Sequence, residues 1–304
     1  MMYFTQLPDH AKPGFDEQAH FGRFKKHNMI FNALSRGIHC DNHVGCLSLK
    51  TVLCGEEWYG INHNQITIRP GQFLILNDDQ TYSCHIDRSE SVRSLSVFFK
   101  KEFASAVFHD ALHQEEVLLN DPHNNGNHTL EFFQTLHTVD STLLQQLTSL
   151  IACLEIEGYD DCRIDEYLVF LLHYLIKAHQ TDSRRAGSVN AIKSSTRMEI
   201  YKRLSIAKDL LYTHYRDKPD LNVISTAACL SVPQLVRQFK AVFNTTPHQY
   251  LIRIRLQHAA ELLRRTNKPV SEIAWACGFE NVSAFCRAFK TTYKVKPGSL
   301  RKMS

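Results

Sequence analysis

The chain has 304 residues and a net charge of only +4, a length at which two domains are the default. No apolar run reaches the ~18 residues that a membrane span needs, and no charged-then-apolar leader opens the sequence, so a cytoplasmic protein without a membrane partner is expected. The nine cysteines are scattered and form no CxxC pair, which argues against a disulfide framework and for reduced thiols.

The small net charge hides a division. Residues 184–304 hold 22 Lys and Arg against 7 Asp and Glu, a balance of +15, while the remainder carries −11. A basic third of this kind is the electrostatic footprint of phosphate binding.

In chain order, residues 29–100 read as strands: Met29–Leu34, Cys46–Leu53, Gln65–Arg69, Phe73–Leu76, Tyr82–Asp87 and Val92–Phe99. They are short, rich in β-branched and aromatic residues, and separated by turn clusters at Gly55-Glu56, Asn62-His63-Asn64, Pro70-Gly71 and Asn77-Asp78-Asp79. Many short strands at this spacing suggest a small β-barrel or jelly roll. Trp58, Tyr59 and Tyr82, with His85 as a wall residue, are the candidate effector-binding group, because small-molecule sites combine aromatic walls with a few polar groups. Packing against the following helices is the alternative role for the aromatics. His39-Cys40-Asp41-Asn42-His43 followed by Cys46 is the most metal-like cluster, since all three residue types are competent ligands. Its spacing is not that of a zinc knuckle, so a polar loop flanking strands is expected there, with no metal bound.

After Lys100 the pattern turns helical. Leu143, Leu147, Leu150 and Leu154 repeat at four, three and four; Leu168, Leu171, Leu172 and Leu175 follow a break at Gly158-Tyr159-Asp160-Asp161. An antiparallel helical hairpin is expected. Its first stripe is either a dimer interface or a cover for the β-domain. The stretch Asp121–His128 reads as an exposed polar loop. The polar stretch from Gln180 to Ser195 reads as a linker, which sets the expected domains at 1–182 and 196–304, joined by 183–195.

The last 85 residues hold one unit twice. Leu221, Ile224 and Cys229 recur 49 residues later as Val270, Ile273 and Gly278; Leu235, Arg237, Phe239, Lys240 and Pro247 recur 50 residues later as Phe285, Arg287, Phe289, Lys290 and Pro297. The single inserted residue falls in the turn. In each copy a short helix, a tight turn and a second amphipathic helix form a helix-turn-helix, about 221–243 and 270–293. Ser271 is placed to cap the first helix of the second copy, and Asn281 or Ser283 the next. Between the copies, Pro247 opens a helix running to about Arg265. Some 18 residues span roughly 27 Å, which sets two recognition helices near one DNA turn apart, roughly 34 Å. The outward faces make Pro233, Gln234, Val236, Arg237 and Lys240, and Asn281, Val282, Ser283, Cys286, Arg287 and Lys290, the candidate DNA contacts.

Residues 200–302 resemble the DNA-binding domain of the AraC/XylS family of transcription regulators. The resemblance is carried by Ile273-Ala274-Trp275-Ala276-Cys277-Gly278-Phe279-Glu280-Asn281, Ser283, Phe285, Arg287-Ala288-Phe289-Lys290 and Pro297, and by Thr246-Pro247-His248-Gln249-Tyr250-Leu251 and Arg253-Ile254-Arg255-Leu256. Cys229 stands where the first motif often has glycine, and Pro233 and Val236 where relatives often place polar base-reading side chains. Arg69–Leu76 is similar to a turn and strand of the cupin-like sensor domains of that family. The resemblance implies an α+β chain of two domains: a cupin-like β-barrel with a helical hairpin, then an all-α DNA-binding domain with a linker helix. It implies double-stranded DNA and a small-molecule effector as partners, RNA polymerase as a candidate partner, a homodimer formed through the amino-terminal domain, and no cofactor or catalytic residue. The rivals are a metal-dependent cupin enzyme fused to a DNA-binding module and a metal or thiol sensor using Cys40, Cys46, Cys54 or Cys84. The cupin pattern of paired histidines, a glutamate and a later histidine is missing, and no Ser-His-Asp, P-loop or dinucleotide fingerprint is found.

Overall fold

A computed structural model describes residues 1–8, 15–62, 64–112, 130–156, 160–217 and 219–301; the polar loop expected at Asp121–His128 lies outside them. The chain forms two compact units, Met1–Arg184 and Arg185–Ser304. No helix among the described residues is long and apolar enough to cross a membrane.

The first unit contains β1 (Met2–Phe4), α1 (Glu17–Lys26), β2 (Met29–Ser35), β3 (His39–Gly45), β4 (Ser48–Cys54), β5 (Glu57–Ile61), β6 (Asn64–Ile68), β7 (Gln72–Leu76), β8 (Gln80–His85), β9 (Val92–Phe98), α2 (Lys101–Leu112), β10 (His137–Thr138), α3 (Ser141–Leu154) and α4 (Asp161–Gly187). The strands make two separate sheets, ordered β1-β2-β9-β4-β7-β10 and β3-β8-β5-β6. Of the two expected forms this is the jelly-roll type: among the described residues the hydrogen-bonded ladder does not close into a barrel, and the two sheets face each other through their side chains. Among the described strands, β1 and β2 pair in parallel and the other pairs are antiparallel. Tight turns use residues that tolerate a left-handed backbone, with Asn62 at φ 48, Gly71 at φ 84 and Asp79 at φ 57.

The six-stranded sheet is covered on both faces. Ile30, Leu49, Phe73, Ile75, Leu95 and Val97 pack on one side against α2, α3 and α4. Side chains at the alternate positions, such as Phe31, Lys50, Ser96 and Phe98, point toward the four-stranded sheet. Leu143, Leu147, Leu150 and Leu154 are all buried in the first of these layers, within one cluster with the sheet and α4. Each fully buried leucine contributes about 1.5–3 kcal/mol. The stripe is therefore core packing, and the dimer-interface role for these four residues is withdrawn: a second copy cannot reach side chains that the sheet already occupies.

The second unit is helical: α5 (Ser194–Thr213), α6 (Leu221–Ala227), α7 (Val232–Phe243), α8 (Pro247–Arg265), α9 (Val270–Ala276), α10 (Val282–Tyr293) and α11 (Pro297–Arg301). The segment expected as linker is partly structured, because α4 continues to Gly187 and the next helix begins at Ser194. α8 starts with a full capping box, in which Thr246 and Gln249 satisfy each other's backbone N–H groups around Pro247. Its buried face supplies Leu256, Ala259, Ala260 and Leu263 to a cluster with Ile273, Phe279, Phe285 and Phe289 of the second motif.

Candidate nucleic-acid interface and sensor cavity

The two helix pairs repeat in detail. α6 and α9 both end in a Schellman turn. In the first, Leu230 N–H donates to Ser225 O at 2.9 Å and Cys229 N–H to Thr226 O at 3.0 Å; in the second, Phe279 N–H donates to Ala274 O at 3.0 Å and Gly278 N–H to Trp275 O at 2.9 Å. The left-handed residue is Cys229 at φ 50 in one and Gly278 at φ 81 in the other. Ser231 caps α7 and Asn281 caps α10, each accepting from the N–H three residues on. Asn281 rather than Ser283 is therefore the cap. Ser271 is not one: the residue before α9 is Pro269, and Ser271 lies inside the helix. Both recognition helices stop at a left-handed residue, Asn244 and Lys294.

Leu235 and Phe239 in α7, and Phe285 and Phe289 in α10, are fully buried. The opposite faces carry the candidate contacts. Pro233, Arg237 and Lys240 are exposed with Gln234 and Val236 half-buried; Asn281, Ser283, Arg287 and Lys290 are exposed with Val282 and Cys286 half-buried. Arg237, Lys240, Arg287 and Lys290 make no side-chain hydrogen bond or ion pair among the described residues. Three other arginines of the unit are committed: Arg203 to Glu199 and to the Cys229 carbonyl, Arg301 to the Lys268 carbonyl, and the buried Arg255 to the carbonyls of Tyr215 at 2.7 Å and Asp217 at 2.5 Å. Four of the unit's free cations thus lie on the faces that a major groove would meet.

The candidate effector group divides. Tyr59 and Tyr82 are buried and line a cavity between the two sheets, together with Lys50, Glu57, Cys40, His43 and Phe98. Trp58 and His85 are directly opposite each other on β5 and β8 and lie on the other face of the four-stranded sheet. Strand alternation puts neighbours on opposite faces, so Trp58 and His85 are corrected to positions outside the inner cavity. The same alternation splits the metal-like cluster, which is strand β3 and not the loop expected. Cys40 and His43 point inward, whereas His39 and Asp41 face solvent and pair at 2.9 Å. Among the described residues no group of three or more His, Cys, Asp or Glu side chains is placed to hold a metal ion.

The sequence expectations missed the most unusual residues of the cavity. Lys50 sits in a strand buried from Ser48 to Thr51 and beyond, and its presence in the run Leu47–Leu53 is the signal that marks it. Burial lowers its pKa to about 8. Its Nζ stands 3.5 Å from the centroid of the Phe98 ring and 5.5 Å from that of Tyr82. Glu57 is also buried, which raises its pKa, and it accepts from Tyr59 Oη at 2.9 Å and Ser94 Oγ at 2.6 Å. Cys84 is opposite Cys40 in the ladder, and a hydrogen bond between them, reinforced by burial, keeps the Cys84 thiol protonated well beyond its usual range.

Residues 224–303 match the family described as a helix-turn-helix domain. The chain is similar to the probable transcriptional regulator LumQ of Photobacterium leiognathi, 28% identical over 174 residues, or 52% of this chain and 70% of that protein. It is 40% identical over 90 residues to the HTH-type transcriptional regulator MtrA of Neisseria gonorrhoeae, covering 28% of this chain and 30% of that one. It is 28% identical over 164 residues to the HTH-type transcriptional activator RhaS of Escherichia coli, covering 54% of this chain and 56% of that one. The chain therefore spans less than two thirds of two of these three relatives.

Proposed function

We infer that the chain, which carries an AraC-type helix-turn-helix domain, is a DNA-binding transcription regulator whose amino-terminal unit senses a small molecule. The observation that carries the DNA-binding part is the coincidence of four unpaired cations with the outward faces of two duplicated recognition helices. Arg237 and Arg287 hold corresponding places and are the base-reading candidates, since arginine is the commonest reader of guanine. Lys240 and Lys290, one turn on, suit the phosphates. The half-buried Val236 and Cys286 offer small apolar contacts of the kind that thymine methyls accept. Binding to a DNA duplex is expected to weaken steeply with salt, with a log–log slope of about −4 or steeper for four or more neutralised phosphates. A salt-independent interaction contradicts the assignment.

The sensing part rests on the cavity between the sheets, which has aromatic walls and a few polar groups of opposite sign. A ligand there acts only by preferring one arrangement of the protein over another. RNA polymerase is the partner through which a DNA-bound regulator changes transcription. A homodimer remains part of the proposal, with its seam outside the buried leucines. Leu147→Glu is accordingly expected to unfold the first unit, seen as lost cooperative melting, rather than to release a folded monomer.

A further inference from the structure

The reading of the first unit as a small-molecule sensor leaves the chemistry of its ligand open, and the inference here rests on that reading. Lys50 brings three N–H donors into a buried cavity, where its Nζ lies over two ring faces. The ammonium makes no hydrogen bond among the described residues, and the buried Glu57 carboxyl acts on it through its charge. Cation–π contact compensates part of the lost hydration, but a buried ammonium is held at low cost only when acceptors meet it. The Glu57 carboxyl accepts from Tyr59 and Ser94 and not from Lys50. A carboxyl that burial keeps easily protonated also repels an incoming anion less.

Beyond Lys50 the walls turn apolar, with Phe24, Phe31 and Phe98 from α1, β2 and β9. The cavity measures about 50 Å³, against roughly 10–15 Å³ for one water and ~150 Å³ for an engineered cavity that takes up benzene. The space suits about five non-hydrogen atoms and not an aromatic ring. We propose that the cavity over Lys50 binds a short-chain monocarboxylate of about three carbons, its carboxylate held by the Lys50 ammonium and its alkyl end by Phe24 and Phe31.

Calorimetric titration of the full chain with sodium propionate, propionamide and sodium benzoate tests this. Propionate is expected to bind at pH 7, with the neutral amide and the larger benzoate each at least tenfold weaker. Lys50→Met keeps the unbranched apolar stem and removes the charge; it is expected to weaken propionate binding at least tenfold, and Lys50→Arg, which keeps the charge, to weaken it less. Trp58→Ala, on the other face of the sheet, is expected to leave propionate binding as it was.

Affinity is also expected to fall about tenfold between pH 7 and pH 9, as Lys50 with a pKa of about 8 loses its proton. The other titratable groups facing it are Glu57 and Tyr59 on β5, Tyr82 and Cys84 on β8, Cys40 and His43 on β3, Cys46 before β4 and His20 on α1. Burial keeps Tyr59, Tyr82 and Cys46 neutral to higher pH, Cys46 to about 12. Failure of propionate to bind, equal binding of propionamide, or undiminished binding by Lys50→Met overturns the site. Propionate bound through Lys50 with no change in DNA affinity supports the site and removes the sensor reading instead.

Discussion

The two helix-turn-helix copies share one backbone plan and differ in how each turn is held. In the second, a Cβ on Gly278 would stand 2.6 Å from the Arg216 carbonyl oxygen and 2.9 Å from that of Tyr215. Those carbonyls cannot retreat freely, because Arg255 of the linker helix holds the Tyr215 carbonyl. In the first copy the left-handed residue is an exposed cysteine, whose carbonyl accepts from Arg203. Glycine is thus required at one turn by the backbone above it, while the other turn accepts a side chain and bears only the conformational strain. A second difference lies in the recognition helices. Gln238 in α7 exchanges hydrogen bonds with the backbone of Asn190 at 3.3 and 3.4 Å, whereas α10 has Ala288 at the corresponding place. Among the described residues, α7 and not α10 is tied in this way to the segment before α5.

Gly278→Ala tests the first contrast most severely. Left-handed strain and overpacking together are expected to destabilise the second unit by about 3 kcal/mol, read as a lower denaturation midpoint. A change below about 1 kcal/mol would show that the backbone at Tyr215 and Arg216 moves aside readily. Next in size, Arg287→Ala and Arg237→Ala are each expected to cost about 1–3 kcal/mol in specific DNA binding with the melting temperature unchanged. If only one of the pair has an effect, the copies are unequal readers.

These contrasts could be read from the sequence only in part. The duplication, the cap at Asn281 and the outward Arg and Lys positions are local features with fixed spacing, so the sequence displays them, although the same rule placed a cap at Ser271, which lies inside its helix. The reason Gly278 must be glycine is a contact with residues 215 and 216, about sixty positions away, which no local pattern records. The first unit was harder for a related reason. β4 and β7 are buried on both faces, so period-two alternation does not separate inside from outside, and Lys50 would ordinarily be assigned to solvent. β3 has a sequence of polar residues that reads as a loop, although pairing with β8 makes it a strand. Trp58 and Tyr59 look like one aromatic group until the pleat sends them to opposite faces.

Two smaller effects refine the comparison. Cys229→Gly is expected to stabilise the first copy by about 1 kcal/mol by relieving the left-handed strain, measured as a higher denaturation midpoint; no gain would mean that the cysteine side chain contributes packing that offsets the strain. Gln238→Ala removes two long hydrogen bonds and is expected to cost under about 1 kcal/mol in stability. Faster amide hydrogen exchange at residues 188–193 would confirm that this clip orders the segment, and unchanged exchange would refute it.

The central claim, that both copies read DNA as neighbouring units of one chain, is tested most directly by footprinting at a selected binding site. Wild-type protein is expected to protect two successive major-groove segments about one helical turn apart on the same face of the duplex. Arg237→Ala should weaken protection of one segment and Arg287→Ala that of the other. A single protected segment that both substitutions weaken alike, or one that neither changes, would contradict the account.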